Sequence, residues 1–156
     1  MPRDETDDER ADRKWIDLLQ ELRVVQTGVQ LLAGFLLTLP FQERFEDLDD
    51  AQRAGYLFLV SLAGVTTALV LSPVALHRRL SGRHVKTQVV EAADRMTWPI
   101  LASVGLLVIG STTFVFDVVV NRAAAGIACA AMSSAVLALM VVWPTRALSH
   151  FSSADV

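Results

Sequence analysis

Hydrophobic positions in this chain fall into four long runs, near residues 23–39, 54–76, 98–119 and 123–143. Polar and charged segments separate them at 1–22, 40–53, 77–97, 120–122 and 144–156. Each run holds roughly 17–23 residues, which at ~1.5 Å per residue matches a hydrocarbon core of ~30 Å. The pattern predicts four membrane spans. Pro40 and Pro144 stop the first and fourth, Pro73 lies near the end of the second, and Pro99 takes a tolerated first-turn position in the third. Thr6 with Glu9, and Asp49 with Gln52, have the spacing of capping boxes, so helices should start after Thr6 and after Asp49.

Two polar segments also carry a helical period. Trp15, Ile16, Leu18, Leu19 and Leu22 share one face, opposite Asp12, Lys14, Asp17 and Glu21. Val85, Val89, Val90, Ala93 and Met96 repeat the spacing after the Ser81–Gly82 turn. Both read as amphipathic helices lying at a membrane surface, the first of them running into the first span. The expected fold is therefore all-α: a polytopic four-transmembrane-helix bundle with two cytoplasmic amphipathic surface helices.

Charge sets the orientation. Of the 14 Lys and Arg residues, all but Arg44, Arg53 and Arg122 fall on the side holding both termini and the 77–97 loop. The positive-inside rule places that side in the cytoplasm. The acidic loop with Glu43, Glu46, Asp47, Asp49 and Asp50 then faces out. His77, Arg78 and Arg79 should meet anionic lipid headgroups. Trp15, Trp98 and Trp143 should form an indole belt near the same leaflet. The net charge of −3 averages over these opposed ends. No basic tract is dense enough for nucleic acid. The first 20 residues are polar and acidic, so the first span should remain as an anchor rather than be cleaved as a signal peptide. Arginine-rich, alanine-rich composition points to a bacterial plasma membrane.

Composition removes several chemistries. Hydrophobic residues make up 53% of the chain and the mean hydropathy is +0.42. Cys129 is the single cysteine, so no internal disulfide can form, and no zinc spacing, phosphate loop or nucleophile–base pair is present. No cofactor or metal is expected, and no enzymatic activity.

What remains are polar side chains inside or beside the spans. Gln26 and Gln30 lie one turn apart in the first run, on a stripe with Arg23, Thr27 and Gly34. An unpartnered amide in hydrocarbon costs roughly 2–7 kcal/mol on transfer scales, so the stripe is expected to point into the bundle. There it would either bond neighbouring helices or line a polar path. Asp117 is the acid of the late spans, near the outer end of the third: either a boundary acid or a proton or sodium site. Glu21 and Arg23 mark the cytoplasmic boundary, as a local pair or as part of a relay with His77 and Arg78. Small residues recur every fourth position, as Gly64, Ala68 and Ser72 in the second run and as Gly126, Ala130, Ser134 and Ala138 in the fourth. With Ser103, Gly110, Thr113 and Asp117 of the third run, they offer faces for close helix packing inside the bundle or in a homo-oligomer.

The segment 21–30 (Glu-Leu-Arg-Val-Val-Gln-Thr-Gly-Val-Gln), the segment 35–41 ending Leu39-Pro40-Phe41, and Arg44-Phe45, Tyr56 and 73–78 together resemble a family of small bacterial four-span membrane proteins. That family is catalogued as a domain of unknown function, and some members carry an automatic label of sodium/proton antiporter. The resemblance covers nearly all of the chain after residue 15. It implies the four-span topology. Two functional classes stand side by side: a non-enzymatic interaction or accessory subunit, with a homo-oligomer or a membrane protein as partner, and a small cation- or proton-coupled transporter.

Overall fold

The computed structural model describes residues 6–80, 86–142 and 145, and the fold is helical throughout them. α1 spans Asp7–Thr38, α2 Asp50–Leu80, α3 Lys86–Val119 and α4 Arg122–Leu137. α1 to α3, and α4 together with the turn that follows it to Val142, provide four helical stretches long and apolar enough to cross a membrane.

The helix starts follow the capping chemistry of the sequence. Thr6 caps α1: the Glu9 amide donates to Thr6 Oγ1 at 3.3 Å, and the Thr6 amide donates to Glu9 Oε2 at 3.0 Å. Asp49 caps α2 through the same exchange with Gln52, at 2.8 and 3.1 Å. Asn121 caps α4 by accepting from the Ala124 amide at 2.9 Å. α1 ends where Pro40 has no N–H to give, and the Leu39 amide turns to the Leu36 carbonyl instead. Two short 3₁₀ turns, Leu39–Phe41 and Glu43–Phe45, lead to α2. A π-helical turn, Ala138–Val142, follows α4.

Three expectations need correction. The second amphipathic segment is not a separate surface helix. Residues 7–22 run into the first span as expected, and the helix from Lys86 likewise runs into the third. Pro99 consequently lies well inside α3 rather than in a first turn. A change of polarity along a helix marks where its surroundings change. It does not mark where the backbone breaks. The third correction concerns closure. Among the described residues α1 packs on α2 and α3, whereas α4 packs on α3 alone. The bundle is a three-helix core with a fourth helix appended to its central member.

Two apolar layers fill the core. Leu18 and Leu22 of α1 meet Val70 of α2 and Ile100 of α3, with Trp15, Val25 and Leu69 packed around them. Nearer the other end, Val29 and Leu36 meet Leu59, Ala63 and Leu107. In lipid such contacts stabilise by dispersion and fit rather than by removal from water, so small residues matter where helices approach. Gly110 is the tightest point: a Cβ there would stand 2.5 Å from Leu59 Cδ2. At Gly105 a Cβ would lie 3.1 Å from Val136 Cγ1 of α4. Pro73 is buried inside α2 and cannot donate to the Leu69 carbonyl, which receives the Ser72 hydroxyl at 2.8 Å.

The regular small-residue ridges face away from this core. Gly126, Ala130, Ser134 and Ala138 are exposed, as are Gly64 and Ala68, and Ser72 is half-buried. α4 instead lays Ala125 and Ala128 against α3, with Val136 and Met140 reaching Gly105. Gly110→Leu should therefore lower bundle stability by about 1–3 kcal/mol. Gly126→Leu, with nothing within 4 Å of its Cβ position, should leave it unchanged. Thermal unfolding of the two variants in detergent checks the contrast.

Candidate functional site

The residues singled out from the sequence fall in three separate places. The first is the outer surface of α1. Its buried face is Leu18, Leu22, Val29 and Leu36. Gln26 is half-buried, and Arg23, Thr27, Gln30 and Gly34 are exposed. The polar stripe thus points away from the bundle, against expectation. The reason is steric: at 100° per residue the Gln30 side of α1 lies about a third of a turn from the leucine and valine side, and α2 and α3 occupy the latter. The Thr27 hydroxyl donates to the Arg23 carbonyl at 3.0 Å. Neither the Gln26 nor the Gln30 amide makes a side-chain hydrogen bond among the described residues.

The second place is the acidic end of the bundle, where the 39–49 connection meets the α3–α4 turn. Asp117 belongs here, not with the glutamines. Its side chain is 18% exposed, and its Oδ2 accepts from Gln52 Nε2 at 3.0 Å. Arg122 stands between two carboxylates, with Nη2 2.6 Å from Asp49 Oδ2 and Nε 4.0 Å from Asp117 Oδ1. Gln52 is the connecting piece: its Oε1 closes the α2 capping box while its Nε2 holds Asp117. These contacts tie the start of α2 to the end of α3 and the start of α4. The connection itself is pinned by Leu48, which is buried, and by Phe45 set edge-on to Tyr56 with ring centres 5.0 Å apart. Tyr56 in turn leans on Phe114 of α3 at 6.2 Å. Arg53 Nη2 donates to the Glu46 carbonyl at 3.0 Å.

The Gln52 amide, donating to Asp49, holds the Asp49 carboxyl below its ordinary value, with Arg122 adding to the effect against a smaller desolvation. Arg122 and Asp49 are both exposed, so their ion pair adds little by itself. The Gln52–Asp117 hydrogen bond is charge-assisted and part-buried, and it is the stronger link.

The third place is the basic end. Glu21, Arg78 and Arg95 are exposed there, and the His77 side chain lies outside the described residues. The proposed Glu21–His77 relay therefore falls outside them too. Trp15 is half-buried against the first core layer, Trp98 is exposed, and Trp143 is outside the described residues. Among the described residues no cluster of His, Cys, Asp or Glu is arranged to hold a metal ion.

A family model matches residues 4–144, nearly the whole helical region. The chain belongs to the DUF6328 family, a family of unknown function. No curated protein and no solved structure matches it. Membership of DUF6328 agrees with the resemblance seen in the α1 motif and carries no assigned chemistry.

The acidic end yields two predictions. Gln52→Ala removes half the capping box and the hydrogen bond to Asp117 together, and should cost about 1–3 kcal/mol in equilibrium unfolding. Because folding depresses the Asp49 pKa, its cap contributes fully above the ordinary value of 3.8 and is lost as pH falls through the lower folded value. Amide protection at Gln52 should drop in that acid range. In Asp49→Asn, which caps without titrating, the acid-induced drop should disappear from hydrogen-exchange profiles.

Proposed function

We propose that this chain is a multi-pass protein of the bacterial plasma membrane, with both termini cytoplasmic, and that it works as a non-enzymatic interaction or accessory subunit. The observation that carries this reading is a division between interior and exterior. The helix interfaces are nearly all apolar: among the described residues the buried polar side chains are Thr66, which donates to its own helix at the Leu62 carbonyl, and Ser111, whose hydroxyl has no hydrogen-bond partner. The outside is chemically marked, by the amide stripe on α1 and the small-residue ridge on α4. A protein built to move an ion would reverse that order. It would keep acids and amides inside, with apolar residues toward lipid.

Transport therefore stands as the weaker reading. Asp117 is held by Gln52 at the acidic end, while Gln26 and Gln30 lie along the middle of α1 on its outer side. The set does not line one path. The exposed Arg78 and Arg95 support contact of the basic end with anionic headgroups on the cytoplasmic side.

Two measurements test the assignment. A single cysteine at Glu46, in a Cys129→Ala background, should react with an impermeant thiol reagent added outside intact cells, and one at Arg95 should react only after permeabilisation. The opposite pattern overturns the orientation. Crosslinking in native membranes should give a stoichiometric complex, and protein reconstituted in liposomes should leave a preset pH gradient intact when sodium is added. A strictly monomeric, uncrosslinked protein, or a sodium-dependent loss of the gradient, would overturn the accessory role.

A further inference from the structure

The α1 stripe raises a chemical problem that the single chain leaves unsolved. Gln30 lies one residue from the middle of the 23–39 apolar run, so in a membrane its amide stands near the centre of the hydrocarbon. It is exposed, and its side chain makes no hydrogen bond among the described residues. The hydroxyls on the helix surfaces do not share the problem. Thr27 donates to Arg23, Thr38 to Phe35 and Ser134 to Ala130, each within its own helix. The glutamine amide has both donors and an acceptor to place. Lipid tails supply neither.

We propose that the Gln26–Thr27–Gln30–Gly34 flank of α1 is a self-association surface, occupied by the same flank of a second copy, with Gln30 of each chain hydrogen-bonded to Gln30 of the other. The inference rests on the membrane reading above. Symmetry favours a second copy over other occupants. Both copies enter the bilayer with the same orientation, so a two-fold axis must run along the membrane normal. Such an axis sets a residue near the crossing point opposite itself. An amide carries both donors and an acceptor and is self-complementary in that position without any change of protonation, whereas an ionised acid or base is not. The stripe from Val24 to Thr38 carries no charge, as such a contact requires. One turn beyond Gln30, Gly34 has nothing within 4 Å of its Cβ position, which lets two backbones approach closely. The rest of the chain leaves the surface open: 11% of the α1 membrane window is buried, against 28% in α2 and α3. Arg23 lies about two turns toward the cytoplasmic end, where its side chain can reach the headgroups and the two copies diverge.

The test uses full-length protein. In a Cys129→Ala background, single cysteines at Thr27 and Gly34 should form oxidative dimers in native membranes. Cysteines at Val24 and Phe35, exposed on the other flank of the same helix, should not. Dimers at Val24 and Phe35 alone, or at no position, overturn the interface. A crosslinked product of a mass other than twice 17.0 kDa assigns the face to a different protein and overturns it too. Energy transfer between labelled copies in phosphatidylcholine vesicles, titrated by protein-to-lipid ratio, reads the affinity. Gln30→Leu should weaken association about tenfold, and Gln30→Asn should retain most of it. Unchanged association in Gln30→Leu overturns the role of the amide. Carbonate extraction separates the two levels of the argument. Release from membranes overturns the membrane reading and this inference with it, whereas a protein that stays embedded but monomeric overturns the dimer alone.

Discussion

A polar group placed in hydrocarbon has to find its partner inside the protein, and that constraint orders this molecule. Most hydroxyl residues meet it locally, the buried Ser111 hydroxyl being left without a partner among the described residues. Thr66, Thr67, Ser103 and Thr113 all donate to the carbonyl four residues back, at 2.7–2.8 Å. Such residues sit on any face of a helix at small cost, so they say little about packing. Proline creates the converse need, an orphaned carbonyl. At Pro73 the neighbouring Ser72 supplies the donor. An amide has more bonds to place than a hydroxyl, two donors and an acceptor, so its surroundings reveal more.

Three glutamines show the range of solutions. Gln52 lies at the acidic end of the bundle and uses both ends of its amide, one on the Asp49 amide and one on Asp117. It thereby joins the start of α2 to the end of α3, and Arg122 brings in the start of α4. α4 packs on α3 alone among the described residues, so its attachment depends on Gly105 along its length and on Arg122 at its start. Gln26 and Gln30 have no such partner among the described residues.

The same reasoning changes the meaning of Asp117. An acid in a span invites a proton-coupled mechanism, because neutralisation removes the cost of burial. Here the carboxylate is matched by a hydrogen bond from Gln52, with Arg122 4.0 Å away, at the margin of the bundle. These contacts connect the end of α3 to the starts of α2 and α4. The arrangement needs no proton exchange to be stable.

Much of this was legible before any coordinates. The four apolar runs follow from composition because a span has no alternative to a helix when backbone groups must bond internally. The starts after Thr6 and Asp49 were readable because a capping box is encoded in residues three apart. The polar membership of the α1 stripe was readable as well. Its direction was not: both flanks of α1 are helical and mostly apolar, and only the positions taken by α2 and α3 decide which is covered. Local pattern showed the first amphipathic segment running into its span but not the second, since polarity changes along a helix without interrupting its hydrogen bonds. Nor could it pair Gln52 with Asp117, or leave α4 resting on α3 alone, because those depend on contacts between residues far apart in the chain. Sequence alone determined the elements and their chemistry. The tertiary structure decided which faces were inside, because in lipid that choice follows shape and hydrogen bonding rather than hydrophobicity.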